Sequence, residues 1–298
     1  MVWMTRRAVV LAGGLGLLLA GLAGTAQAQE ANPYAARLPA EIRAAGQLRI
    51  GTSPTYPPLE YKDPATNALL GLDIDLGNEI AKRLGLQAVW VEQGFEQLIT
   101  SLDTGRIDMG ASGMTDIPAR REKTDFVDYF ATGVQIFSMP HVATASGLSK
   151  PADVCGKPVA VNRNGIFYIH MRTFSDTHCV AKGLPPVQMS LTERTADARL
   201  QLIQGRVVAA AQGVEAIRYL NESPESADRG KFVLIGEPVS VDLAGFGIAK
   251  SRPGLRDAVA DVVTAMMADG TYARIFQKWQ MPYIQVQAVT INGAPRAP

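Results

Sequence analysis

One stretch of this sequence combines side chains that could do chemistry, at residues 111–121 (ASGMTDIPARR). Ser112 and Thr115 offer hydroxyls, Gly113 lets a ligand approach the backbone, and Arg120 follows where a strand pattern turns into a helix. A guanidinium grips a carboxylate through two parallel hydrogen bonds, and free amides near a helix start add donors. The same residues also suit a capped helix with a surface ion pair, and the pattern alone leaves both readings open. Reaction motifs are missing elsewhere: there is no Gly-x-Ser-x-Gly elbow, no phosphate-binding Gly-x4-Gly-Lys-Ser/Thr loop and no His-Glu-x-x-His. His141, His170 and His178 lack a metal-ligand spacing, so neither metal nor cofactor is expected.

The elements that must position these groups alternate between two periodicities. Residues 48–52 read as a strand, ended by the turn-rich SPTYPP, where two prolines exclude a helix and fix an exposed loop. Helical stripes over 74–84 and 95–102 flank a strand at 88–91, and a strand at 107–111 follows. This order predicts α/β architecture with mainly parallel sheets, in which ligands sit beyond the carboxyl ends of strands. After a strand at 133–139 and a polar connection at 141–153, a second series opens at 158–162. It has helices near 165–179 and 194–204, and strands near 187–191, 207–211 and 231–235. A strand at 244–250 and two helices close the pattern, leaving residues after 284 as a loose end. Two α/β halves imply a cleft between lobes.

The chain has 298 residues, 29 Lys and Arg against 28 Asp and Glu, and 47% hydrophobic residues. Such a chain buries roughly three quarters of its unfolded surface, and its near-zero charge argues against disorder and against nucleic-acid binding. Residues 1–28 show a positive start at Arg6 and Arg7, an apolar stretch of about 16 residues, and Ala26-Gln27-Ala28. The stretch is shorter than the ~20 residues of a spanning helix. A signal peptide cleaved after Ala28 is therefore expected, with the export route, general secretory or twin-arginine, left open. Removing it deletes two Arg and shifts the net charge from +1 to about −1. In the oxidising compartment beyond the membrane, Cys155 and Cys179 are expected to pair, two buried thiols being the alternative.

The sequence resembles the family 3 extracytoplasmic solute-binding proteins, the polar amino-acid receptors of ABC importers. The resemblance rests on IGTSPTYPP (50–58), GLDIDL (71–76), SGMT (112–115) through Arg120, TDFVDYF (124–130), CGKPVAV (155–161), and DGTY (269–272) running to Lys278-Trp279. These motifs occur in family order. The resemblance implies a two-lobed periplasmic-binding-protein fold of type II. The first lobe comprises 47–132 and 245–283 and the second 136–238, with a two-strand hinge near 131–135 and 238–245. The tail 284–298 stays loose. It further implies a monomeric periplasmic receptor that hands a small ligand to a membrane permease. Arg120 is then expected to clamp a ligand carboxylate with Ser112, Gly113 and Thr115, while Tyr56 and Phe95 line the pocket.

Departures from the family pattern shape the expected ligand. Ser53 stands where the family usually places an acid for the α-ammonium, and Gly213 replaces the acid of the second lobe. A buried ammonium without a carboxylate partner is strongly disfavoured. The loop Asn164-Gly165-Ile166-Phe167 replaces the usual polar donors, and Arg163 beside it points either into the cleft or to solvent. The expected ligand is thus a small carboxylate with an apolar or aromatic body, with its α-amino group left open; Glu215 or Glu60 is the fallback ammonium partner. Two alternatives remain. One is a cyclohexadienyl-dehydratase-like enzyme, for which Glu215 is the nearest general acid. The other is a periplasmic accessory protein without a transport role.

Overall fold

The computed structural model describes residues 32–163, 166–224 and 226–295. The expected signal segment lies outside them. No helix among the described residues is long and apolar enough to cross a membrane. Two sheets organise the fold. The larger runs in the order Ala294–Pro295, Gln285–Ile291, Thr124–Thr132, Asp242–Ala249, Met109–Gly110, Gln47–Thr52, Gln87–Glu92. The smaller runs Gln188–Thr192, Pro158–Asn162, Ala209–Gly213, Val134–Ser138, Val233–Leu234. Each has a parallel nucleus: Gln47–Thr52 pairs in parallel with Gln87–Glu92, and Pro158–Asn162 with both Gln188–Thr192 and Ala209–Gly213. The long strands Thr124–Thr132 and Asp242–Ala249 pair antiparallel and connect the sheets. The fold is the two-lobed α/β architecture of type II binding proteins.

Side-chain alternation explains how the smaller sheet is covered on both faces. Val159 and Val161 enter one apolar cluster while Ala160 between them enters another. On the helix Leu72–Arg83, Leu72, Leu76 and Ile80 recur every four residues and are fully buried against the larger sheet. Asp73 and Asp75 in its first turn and Lys82 and Arg83 in its last complement the peptide dipoles.

Four local expectations need correction. The tail is not loose: Gln285–Ile291 pairs with Thr124–Thr132, and Ile284 and Val289 are buried. Its register breaks between Gln285 and Thr290, which hides the period-two pattern that marks a strand. The connection at 141–153 contains the helix Pro140–Ser146 and a 3-10 turn at Pro151–Val154, both entered by a proline at a position that needs no N–H donor. The SPTYPP stretch is not simply an exposed loop. Thr55–Tyr56 pairs with Glu60–Lys62, which pairs with Leu69–Leu70, and Pro58 and Leu59 are buried. The helix Val214–Glu222 was not anticipated, being short and following its strand without a break.

Cys155 and Cys179 form a disulfide, with Cα atoms 5.5 Å apart. The sulfur of Cys179 lies in the smaller lobe's apolar cluster, where the α-helix Ile166–Phe174 gives way to a wider turn at Ser175–Cys179.

Candidate functional site

Strand ends from both sheets open onto one cavity of about 370 Å³, beyond the carboxyl ends of the parallel strands. Ser53, Tyr56, Phe95, Ser112, Gly113, Thr115 and Arg120 line it from the first lobe, and Ile166 and Phe167 from the second. Asn164 and Gly165 lie outside the described residues. Gly213 is buried at the end of its strand and does not line the cavity.

Arg120 belongs to the single turn Pro118–Arg121. Its Nη1 donates to the Thr115 carbonyl oxygen at 2.7 Å, and its guanidinium carbon stands 5.0 Å above the Phe95 ring. Burial lowers its pKa to about 10, partly offset by Asp116, so it remains a cation at neutral pH. The adjacent Arg121 takes Asp116 as its ion-pair partner. Among the described residues, no carboxylate lies within ion-pair distance of Arg120. A buried cation left in this way favours an anionic ligand that brings its own charge.

Gly113 shows why this corner requires glycine. Its φ is +53°, and a Cβ would stand 2.8 Å from Leu59 Cδ1. Its N–H donates to Asp73 Oδ2 at 2.8 Å, and the Tyr129 hydroxyl donates to Asp73 Oδ1. The Ser53 N–H donates to Ser112 Oγ at 3.0 Å, and Ser112 Oγ donates to Glu60 Oε1 at 2.9 Å. Ser53 and Ser112 thus serve the cavity partly by fixing a carboxylate.

That carboxylate overturns the expectation of a cleft without acids. Glu60 lines the cavity, is 2% exposed, and its Oε2 is buried without a hydrogen-bond partner among the described residues. Burial pushes its pKa well up, and neighbouring Asp73 adds to this while Ser112 opposes it. The same burial raises Asp73 to about 6. A second acid fills the place left by Gly213. A Cβ there would meet Glu215 Oε1 at 2.0 Å and the Tyr56 hydroxyl at 2.4 Å. Glu215, two residues further on, thus occupies the space that a side chain at position 213 would need.

The second lobe contributes a wall that the sequence reading missed. Glu193, Arg194, Thr195 and Ala196 follow the strand Gln188–Thr192 and line the cavity, as does Asn162 at the end of Pro158–Asn162. The rule placing ligands beyond strand ends points to both loops. Arg163 is mostly exposed and pairs with Glu193 at 3.1 Å, which resolves its orientation. Glu96 also lines the cavity. No group of three metal-ligating side chains occurs among the described residues.

The profile of the bacterial extracellular solute-binding proteins, family 3, matches residues 48–282. The arginine-binding protein ArgT of Corynebacterium glutamicum is 29% identical over 263 residues, which cover 87% of this chain and 83% of that protein. The histidine-binding periplasmic protein of Salmonella typhimurium is 31% identical over 241 residues, covering 78% and 87%. A crystal structure of a variant of the arginine-binding protein ArgBP from T. maritima superposes with a TM-score of 0.68 at 27% identity. That match covers 80% of this chain and 97% of the other.

Proposed function

The chain belongs to the bacterial extracellular solute-binding proteins, family 3, and from that premise we propose that its cleft captures a free α-amino acid. Its relatives are named for binding, and it is a binding protein rather than an enzyme. One observation carries the reading: Arg120, a buried cation without an acid partner among the described residues, and Glu60 Oε2, a buried carboxyl oxygen without a donor among them, line one cavity. A zwitterion answers both, its carboxylate on Arg120 and its ammonium against Glu60. A monoanion without an amine would satisfy the guanidinium and leave Glu60 Oε2 without a donor. We therefore favour an amino acid over the amine-free acid that Ser53 and Gly213 alone suggest.

The side chain would lie between Tyr56 and Phe167, whose rings are 6.3 Å apart, and the Glu96 side of the cavity. Acidic lining favours a cationic or imidazole side chain, in keeping with relatives named for arginine and histidine. The lobes would close about residues 131–135 and 238–245. The protein would act in the periplasm as a monomer, after cleavage behind Ala28, and deliver its ligand to an ABC-type permease.

Isothermal calorimetry against L-arginine, L-histidine, L-cystine, L-glutamine and amine-free acids such as 3-phenylpropionate tests the proposal. At least one amino acid is expected to bind about 30-fold or more tighter than every amine-free acid, the scale of one buried charge-assisted contact. Equal or tighter binding of the amine-free acids would overturn it.

A further inference from the structure

Glu215 stands in the first turn of the nine-residue helix Val214–Glu222, where the aligned peptide dipoles favour a negative charge. Its side chain is directed back past Gly213 towards the junction of the lobes. Oε1 accepts from the Tyr56 hydroxyl at 2.8 Å and Oε2 from Thr132 Oγ1 at 2.6 Å. The residue is 3% exposed.

These three residues come from three parts of the molecule. Tyr56 belongs to the small hairpin of the first lobe and forms part of the cavity wall. Thr132 ends the long strand that leaves the larger sheet, one residue before Gly133. Glu215 belongs to the second lobe, packed behind the smaller sheet. One carboxylate therefore ties a pocket wall, a crossing strand and the opposite lobe together. The main chain at the same position is braced from behind. Tyr283 in the C-terminal segment donates its hydroxyl to the Glu215 carbonyl oxygen at 3.2 Å, and the Arg218 guanidinium stands 5.0 Å over the Tyr283 ring.

We infer that Glu215 is a positioning residue of this binding site: its carboxylate holds Tyr56 against the cavity and fastens the lobes together, so that it sets how long a captured ligand stays. Glu215 does not line the cavity and acts through Tyr56. The absence of a side chain at Gly213 is part of the same device, because a Cβ there would displace the carboxylate from the Tyr56 hydroxyl. The inference rests on the amino-acid reading only for its ligand readout.

The test is stopped-flow binding of L-arginine to the exported chain carrying E215A, E215Q, Y56F, or both Y56F and E215A, beside small-angle scattering of each protein alone. Most interface substitutions act on dissociation, so E215A should speed release about tenfold with association within about threefold of the parent. E215Q keeps an oxygen for the Tyr56 hydroxyl and should restore slow release. Y56F should speed release, and Y56F with E215A should be no faster than E215A alone, because the two groups share one contact. E215A should also show a larger radius of gyration than the parent. If E215A does not fold, G213A serves instead: its backbone φ of −58° accepts alanine, and it should speed release about threefold. Unchanged release in E215A or G213A, or multiplying effects of Y56F and E215A, would overturn the inference. If the parent does not bind L-arginine, that ligand assignment fails, and the latch is judged by scattering, where an unchanged radius in E215A sinks it.

Discussion

The two sides of the cleft are built on the same topological plan and filled with different chemistry. On the larger sheet's side the ionisable groups Arg120, Glu60 and Asp73 are buried, Arg120 held by the Thr115 carbonyl, Glu60 through Ser53 and Ser112, and Asp73 by Gly113 and Tyr129. On the smaller sheet's side, Ile166 and Phe167 present apolar surface, and Glu193 and Arg194 are engaged with Arg163 and Asp197. Charges that must be desolvated require a framework that does not move, whereas a face that travels with the closing lobe can use apolar contact, which is non-directional. On the proposed reading the first lobe recognises the ligand's charges and the second encloses it, with Glu215 as one contact by which the second lobe reaches the first.

Four changes would break or sharpen that division. R120A removes the sole cation proposed to meet the ligand's carboxylate and should weaken amino-acid binding by about 3 kcal/mol, roughly 150-fold, read by calorimetry. C155A with C179A acts only on the second lobe. Opening a loop of 24 residues should lower stability by about 3 kcal/mol on the chain-entropy model. Differential scanning calorimetry should show the loss in the second lobe's transition, with L-arginine affinity within a few-fold of the parent if the lobes divide as described.

E60Q should weaken binding of an amino acid by about 2 kcal/mol and leave amine-free acids unaffected. It also gives a pH signature. An ammonium favours the ionised carboxylate, and burial raises the Glu60 pKa in the free protein. Affinity should therefore fall as pH is lowered through the raised titration range of Glu60, because the free protein then carries a proton that the complex must release. E60Q should flatten that profile; a slope unchanged in E60Q would remove Glu60 from ammonium recognition. The smallest effect is expected from F167A, about 1 kcal/mol of lost apolar contact, similar for amino acids and amine-free acids alike. A loss specific to amino acids would mean that the second lobe also reads charge.

Much of the charged side was legible in order along the chain. Strand, glycine, hydroxyls and arginine lie within ten residues at 111–120, so local spacing sufficed to nominate Arg120, Ser112, Gly113 and Thr115. The acids were harder. Glu60 follows two prolines in what reads as an open turn, and only the pairing of Thr55–Tyr56 with Glu60–Lys62 folds it back beneath Ser112. Glu215 sits on a helix that the periodicity did not reveal, and its reach into the space beside Gly213 depends on side-chain direction at a strand-to-helix junction. The register break in Gln285–Ile291 likewise erased the alternation that would have marked the tail as a strand.

Sequence alone was enough for the alternating α/β plan and for naming Cys155 with Cys179, and Arg120, as candidates, because each depends on local periodicity or on residue type and number; the disulfide itself needed the 5.5 Å between the two Cα atoms. The tertiary structure decided the electrical character of the cleft. Whether a carboxylate serves a distant cation is set by burial and by the return path of the backbone, and neither is written in the spacing of residues 53, 60, 213 and 215. Gly213 has no side chain, and the space one would take holds the carboxylate of Glu215.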